Sequence, residues 1–147
     1  MPLYFHINYL LTDFKIFVLL TDQTNKKIYQ LPLDYYPAFH VGLPFQNLSH
    51  PIALDFDPYE EQIYWTDIGT GSISRAYTNG SLQEIIVQHN TFTPAGLAVD
   101  SVGRNIYWTD EGTKEIYVAK LDGSYKKRLF YEELDHPRDI VLDTDNG

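Results

Sequence analysis

The feature that most constrains this chain is a shift of 43 residues under which it matches itself. "QIYWTDIGTGSISRAYTNGS" begins at Gln62 and "NIYWTDEGTKEIYVAKLDGS" at Asn105, so Tyr64-Trp65-Thr66-Asp67 and Tyr107-Trp108-Thr109-Asp110 stand 43 residues apart. The same shift relates Ile73 to Ile116, Gly80 to Gly123, Asp57 to Asp100 and Asp100 to Asp143. One shift met at so many positions marks a repeated supersecondary unit. An unrelated β-sandwich would not keep a uniform interval.

Each unit reads as four short antiparallel strands. "GLAVD" and "DIVLD" are apolar runs, continuous enough for a strand covered on both faces. A tight turn such as "SVGRN" leads into Ile-Tyr-Trp-Thr-Asp, a second strand. Gly-Thr punctuates, and "SISRAYT" or "EIYVAKL" alternates as a third. Asn79-Gly80 and Asp122-Gly123 are hairpin signals, because these residue types tolerate positive φ. "LQEIIVQ" and "YKKRLFY" make a more polar fourth strand. Four strands per 43 residues is the signature of a β-propeller blade.

The first unit is worn. Leu19-Leu20-Thr21-Asp22 stands where Tyr-Trp-Thr-Asp is expected, and Ile28 follows Asp22 by six residues, as Ile73 follows Asp67 and Ile116 follows Asp110. Leu31 corresponds to Ala76 and Ala119, and Asp34 to Asn79 and Asp122. Leu-Leu-Thr-Asp also occurs once earlier, ending at Asp13. Counting seven back from Leu19 gives Thr12, one short of Asp13, so "INYLLTD" reads as an innermost strand with Phe14-Lys15 as a tightened turn. The alternative is a leader outside the repeat. The domain reading is residues 1–15 as leader or first innermost strand and 16–147 as a partial propeller. Its units run over 16–57, 58–100 and 101–143.

Composition narrows the function classes. A hydrophobic content of 44% with 21% charged residues is that of a globular chain, and twelve Tyr suit half-buried pleated surfaces. The formal net charge of −9 leaves no basic stripe for phosphates, which argues against nucleic acid. Without cysteine the chain holds no disulfide and no thiolate zinc site. No apolar run approaches the ~18 residues of a membrane span. The opening "MPLYFHINYLLTDFKIFVLL" lacks the basic region and cleavage site of a signal peptide.

"ALDFDPYEEQIYWTD", "GLAVDSVGRNIYWTD" and "PRDIVLD" resemble the YWTD (class B) repeats of the low-density lipoprotein receptor family. "ISRAYTNGS", "AVDSVGRNIYWTDEGTKEIYVAKLDGS" and "RLFYEELDHPRDIVLD" look most like its Wnt co-receptors. The resemblance runs from Phe17 to Gly147. It departs at Leu19-Leu20 and before Ile16. It implies an extracellular six-bladed propeller in a single-pass receptor, usually followed by a cysteine-rich module that this chain lacks. The expected fold is therefore all-β: about three four-stranded antiparallel blades plus one orphan innermost strand at the C-terminal end.

The repeated residues read as scaffold. Tyr64, Trp65, Tyr107 and Trp108 can fill the wedge between blades, with polar tips that need partners. Thr66 and Thr109 are β-branched and suit a strand. Asp67 and Asp110 end the strand and can accept backbone N–H groups across the turn. A site is rarely reproduced once per repeat, so these carboxylates are not read as catalytic.

Function belongs where the units differ. The loop after each second strand and the loop before each first strand leave the same face, because those strands are antiparallel neighbours. One set carries Gln23, Ile68, Gly69, Glu111 and Gly112; the other carries Ser49, His50, Phe92, Thr93, Ala95, Asp135, His136 and Arg138. The resemblance implies that this face binds secreted protein ligands or inhibitors, such as Wnt, Dickkopf- or sclerostin-type proteins. It also implies a place on the outer face of the plasma membrane, with the membrane reached only through other parts of a receptor.

His50 and His136 each precede Pro and invite a pH-switch reading; with no carboxylate partner evident, exposed turn histidines are the plainer one. Asn47-Leu48-Ser49 and Asn79-Gly80-Ser81 are N-glycosylation sequons, Asn79 being the better placed at a hairpin tip. Catalysis is not expected, and neither is a cofactor or metal: there is no Gly-rich phosphate loop and no G-x-S-x-G elbow. The alternatives are a matrix or growth-factor-precursor propeller and, less favoured, a calcium-dependent lactonase-like enzyme. Three blades and an orphan strand would form an open arc. That implies a piece of a longer receptor or a half-ring that self-associates.

Overall fold

The computed structural model describes residues 5–9, 16–33, 40–88 and 92–143. Its strands are β1 (Phe5–Tyr9), β2 (Ile16–Asp22), β3 (Lys27–Pro32), β4 (Val41–Gly42), β5 (Pro51–Asp57) and β6 (Gln62–Asp67). They continue as β7 (Ser72–Tyr77), β8 (Glu84–Val87), β9 (Pro94–Asp100), β10 (Asn105–Asp110), β11 (Glu115–Lys120) and β12 (Lys127–Phe130). Three four-stranded antiparallel sheets result, ordered β1-β2-β3-β4, β5-β6-β7-β8 and β9-β10-β11-β12. Each Tyr-Trp-Thr-Asp motif forms a second strand, paired on both sides, and every residue of β6 is buried.

Alternation along these central strands gives each sheet a leading and a trailing face. Ile63 and Trp65 point toward the preceding sheet, where they pack with Phe17, Leu19, Ile28, Leu54, Phe56 and Ala76. Tyr64 and Ile73 point the other way, into a cluster with Leu97, Val99, Ile106, Trp108, Tyr117 and Ala119 of the third sheet. Trp65 stacks on Phe45 at 4.6 Å between ring centroids, and Trp108 stacks on Tyr117 at 5.2 Å. Burying such a side chain stabilises by about 2–3 kcal/mol, so two aromatic-rich seams hold three sheets in sequence. The Tyr64 hydroxyl finds Gln62 at 3.3 Å. Trp108 Nε1 meets no partner among the described residues, contrary to the expectation that both aromatic tips are satisfied.

Polar bonds also link each unit to the next. Thr21 Oγ1 donates to Ile52 O of the next unit at 2.8 Å, and Thr109 Oγ1 donates to Arg138 O at 2.6 Å. Thr109 Oγ1 also accepts Gly96 N–H of its own innermost strand, as Thr66 Oγ1 accepts Ala53 N–H. The motif threonine is thus a staple as well as a strand former. Asp55 accepts Val99 N–H at 2.6 Å across the second seam. Arg104 reaches back to the fully buried Asp57 at 2.7 Å and also pairs with Glu60.

Replacing Arg104 by Ala leaves the Asp57 carboxylate buried without its counter-charge. Because the guanidinium is 35% exposed, the expected loss is about 2 kcal/mol, below that of breaking a fully buried pair. Urea unfolding reads it; a midpoint equal to that of the parent chain would show that the bridge contributes nothing.

The hairpin glycines take the positive φ expected of them, +81° at Gly80 and +82° at Gly123. At Gly123 a side chain is excluded twice over, since a Cβ would also run into the Ile86 carbonyl of the neighbouring sheet.

Two expectations change at the ends. The innermost strand of the first sheet is Phe5–Tyr9, whose Asn8 faces Phe17 as Asp57 faces Gln62. Asn8, not Thr12 or Asp13, therefore stands at the Asp57 place. The first Leu-Leu-Thr-Asp and the Phe14-Lys15 turn lie outside the described residues. At the other end, residues 137–143 form no strand, and Arg138 and Asp139 lie against Gly96 of β9. Thr109 holds Arg138 there, and a Cβ on Gly96 would meet the Arg138 carbonyl.

Candidate ligand-binding face

Both Asp67 and Asp110 are almost wholly buried at the end of a central strand, and each collects four backbone N–H groups. Asp67 takes Gly69 and Thr70 of the turn that follows, at 2.9 and 3.2 Å. It also takes Ser49 and His50 of the loop that precedes its sheet, at 2.7 and 2.9 Å. Asp110 repeats this with Gly112 and Thr113 at 3.0 and 3.1 Å, and with Phe92 and Thr93 at 2.8 and 3.0 Å. One carboxylate thus ties together the two loops that emerge on this face. Four charge-assisted bonds per carboxylate make the clamp stiff. In the worn unit the turn side of the clamp recurs: Asp22 accepts the backbone N–H and the side-chain amide of Asn25, which hold its carboxyl below the usual aspartate range.

The clamp fixes backbone and leaves side chains outward. Phe92 is 66% exposed although its N–H is bonded, and His50, Asp135, His136 and Arg138 are exposed as well. Ile68, Ser49, Thr93 and Glu111 are half-buried. Close approach needs glycine after each motif: a Cβ at Gly69 would strike Ser49 and His50, and one at Gly112 would crowd Phe92 and Thr93. Gln23 occupies the equivalent turn of the first unit, half-buried, and no described contact joins it to the others.

The structure brings several of the predicted residues into direct contact. Arg138 Nη2 stands 3.6 Å from Glu111 Oε1. Both border an open recess with Ile52, Ala53, Ala95 and Asp139, at the starts of the first strands β5 and β9. Asp135 pairs with Lys114 Nζ at 2.8 Å and with His136 Nδ1 at 2.8 Å. His136 therefore has the carboxylate neighbour that sequence did not reveal. His50 has instead Ser49 Oγ at 3.3 Å. The Lys114 ammonium, followed by His136, holds the Asp135 carboxyl below the ordinary aspartate range. A lowered carboxyl keeps its pairing above that range and loses it only as pH falls through the depressed value, so the Lys114 contact persists in mildly acidic solution.

Lys114 and Asp139 were absent from the sequence reading of this face. Lys114 lies in the turn after Asp110 and carried a signal in its position, since that turn was already assigned to the face. No group of His, Cys, Asp or Glu able to hold a metal ion occurs among the described residues.

The comparisons agree with this architecture. A family model described as low-density lipoprotein receptor repeat class B matches residues 61–101 and 104–144. Low-density lipoprotein receptor-related protein 4 of Homo sapiens is 45% identical over 55 residues, which are 37% of this chain and 3% of that protein. Low-density lipoprotein receptor-related protein 5 of Homo sapiens is 44% identical over 57 residues, 39% of this chain and 4% of that protein. The chain therefore aligns with only a small part of these relatives. Among solved structures, a nidogen/laminin complex superposes with a TM-score of 0.75 at 36% identity, covering 83% of this chain and 48% of the other. A virginiamycin B lyase from Staphylococcus aureus superposes at 0.66 and 16% identity, over 99% of this chain and 52% of its own, a likeness of fold alone. The three sheets are consecutive blades of a β-propeller.

Proposed function

We propose, because this chain belongs to the family of low-density lipoprotein receptor class B repeats, that it is an extracellular ligand-binding segment of a receptor-related protein, with secreted proteins docking on its loop face. The observation that carries this reading is the double clamp. Asp67 and Asp110 each fix two loops by their backbones while residues of different chemistry, from Phe92 to Arg138, face solvent on one rim. A rigid backbone with variable exposed side chains is what a recognition surface requires, since little ordering entropy is lost on binding. The ligand class we assign is the Wnt co-receptor one, namely Wnt, Dickkopf- or sclerostin-type proteins. The place we assign is the outer face of the plasma membrane. No helix among the described residues is long and apolar enough to cross a membrane.

The test is direct binding of the purified chain to a Dickkopf-type and a sclerostin-type protein, with and without Phe92→Ala. A central aromatic anchor lost from an interface costs about 1.4 kcal/mol or more, so at least a tenfold weaker affinity is expected. Unchanged affinity would remove Phe92 from the site, and no binding to either protein would remove the ligand class. A second reading, a matrix propeller, is favoured by the nidogen likeness at 36% identity over 83% of the chain. Binding to a laminin module alone would put it first.

A glycan fits this reading at Asn79, which is exposed on the turn between β7 and β8, at the end of its sheet opposite the loop face. Its Oδ1 accepts Ser81 N–H at 2.9 Å and the Ser81 hydroxyl at 2.6 Å. Asn47 instead adjoins Ser49 and the clamped loop. Secreted from animal cells, the chain should lose one enzymatically removable glycan on Asn79→Gln; an unchanged mass would exclude the site.

A further inference from the structure

The turns that join β7 to β8 and β11 to β12 share one backbone and carry different side chains. In the second sheet Gly80 N–H donates to Tyr77 O at 2.8 Å, and Tyr77 N–H donates to Ser81 O at 3.1 Å. In the third, Gly123 N–H donates to Lys120 O at 2.8 Å and Lys120 N–H to Ser124 O at 2.9 Å. With Gly80 and Gly123 at positive φ, both are three-residue loops closed by a bulge glycine. The bulge sets Tyr77 opposite Ser81, so their side chains leave the same face. Asn79 is turned to that face as well, since its Oδ1 accepts both the N–H and the hydroxyl of Ser81. Nδ2, the atom that takes a glycan, belongs to the same amide. Tyr77 is half-buried and belongs to neither core cluster. The third-sheet turn has Lys120 and Asp122 in the places of Tyr77 and Asn79. Aromatic residue and sequon thus occur together in one of two matching turns and are both missing from the other.

We propose that Tyr77 is a carbohydrate platform: the first N-acetylglucosamine on Asn79 packs its C–H face on the Tyr77 ring and stabilises the fold. The inference rests on the Asn79 glycan reading and is independent of what the loop face binds. A pyranose ring presents a face of C–H groups, which make the same dispersion contacts with an aromatic face as apolar side chains do. Tyr suits the task as a flat apolar body with a polar tip. Little ordering is lost in making the contact, because both partners hang from one short hairpin. The hairpin itself lies tight against the chain, where a Cβ on Gly80 would meet Pro44.

The test compares the chain secreted from animal cells, trimmed to a single N-acetylglucosamine, with the sugar-free chain made in bacteria. In urea the sugar should lower the unfolding equilibrium constant roughly 2–12-fold, the factor that an aromatic contact of about 0.5–1.5 kcal/mol gives. Tyr77→Leu should abolish that factor and Tyr77→Phe should keep it. Reading each variant with and without the sugar cancels what the substitution itself costs. The third sheet supplies the converse arm, in an Asn79→Gln background. A sugar gained through Asp122→Asn alone should not stabilise, whereas one gained through Asp122→Asn with Lys120→Tyr should restore the factor. An occupied Asn79 whose sugar leaves the constant unchanged would overturn the platform and leave the sequon reading intact. So would a factor that survives Tyr77→Leu, or a transplanted pair that gains nothing over Asp122→Asn. An Asn79 found bare in the secreted chain would overturn both.

Discussion

Replacing Asp110 by Ala lowers the stability of the chain by about 3–4 kcal/mol and frees the loop that carries Phe92. The carboxylate is fully buried and accepts N–H groups from Phe92, Thr93, Gly112 and Thr113. Each donor left without a partner costs about 1–3 kcal/mol when water cannot reach it. Water entering at the exposed Phe92 end offsets part of the sum. Asp110→Asn separates charge from shape. Oδ1 receives three of the four bonds and Oδ2 the bond from Phe92, so an amide can satisfy the first three and turns an NH₂ against the fourth. About half the loss is expected, with Phe92 alone released. Urea midpoints of the two variants read the difference; equal midpoints would mean that the clamp depends on the charge alone, since the amide keeps the shape. On the proposed function the structural change should carry into binding, since a Phe92 whose backbone is no longer held loses its pre-organisation.

Trp108→Ala is expected to cost about 3–5 kcal/mol, the range for truncating a large buried aromatic. Trp108 is fully buried in the seam between the second and third sheets, stacked on Tyr117, with Lys126 Nζ 5.3 Å above its ring. Removing it opens a void that β-strands on both sides cannot close without breaking ladder bonds. Burial of the Lys126 ammonium pushes its pKa down, so losing the aromatic faces beneath it removes a compensating attraction. Leu20→Ala, at the equivalent position of the worn unit, should cost only about 1 kcal/mol, because Leu20 is half-exposed. Were the two losses equal, the seam would not be what the tryptophan stabilises.

Much of this was legible because the structure repeats. A 43-residue shift placed β6 and β10, their neighbours and the hairpin glycines before any coordinate was known. The loop face followed from strand direction, and the structure puts Ser49, His50, Phe92 and Thr93 where that argument expects them. What remained hidden was what does not repeat or what acts at long separation. Arg104 pairs with Asp57 from 47 residues away, and Glu61 stands where the same residue of the preceding unit would be. Asp55 reaches Val99, yet its own equivalent is Ala98, so no pattern announced it. The second half of each aspartate clamp arrives from 17–18 residues upstream, beyond what a turn-forming role suggests. The innermost strand of the first sheet was misplaced because "LLTD" copies the motif's letters, while register puts Asn8 in the aspartate's place.

The central claim is that the motif aspartate builds the loop face by holding two loops at once. Amide hydrogen exchange, followed residue by residue in the parent chain and in Asp110→Ala, tests it most directly. The amides of Phe92, Thr93, Gly112 and Thr113 should exchange nearly as slowly as those of β10 in the parent. All four should fall to loop rates in the variant, while Ser49 and His50, held by Asp67, stay protected. Fast exchange at Phe92 and Thr93 in the parent chain, or protection that survives the loss of Asp110, would contradict the claim.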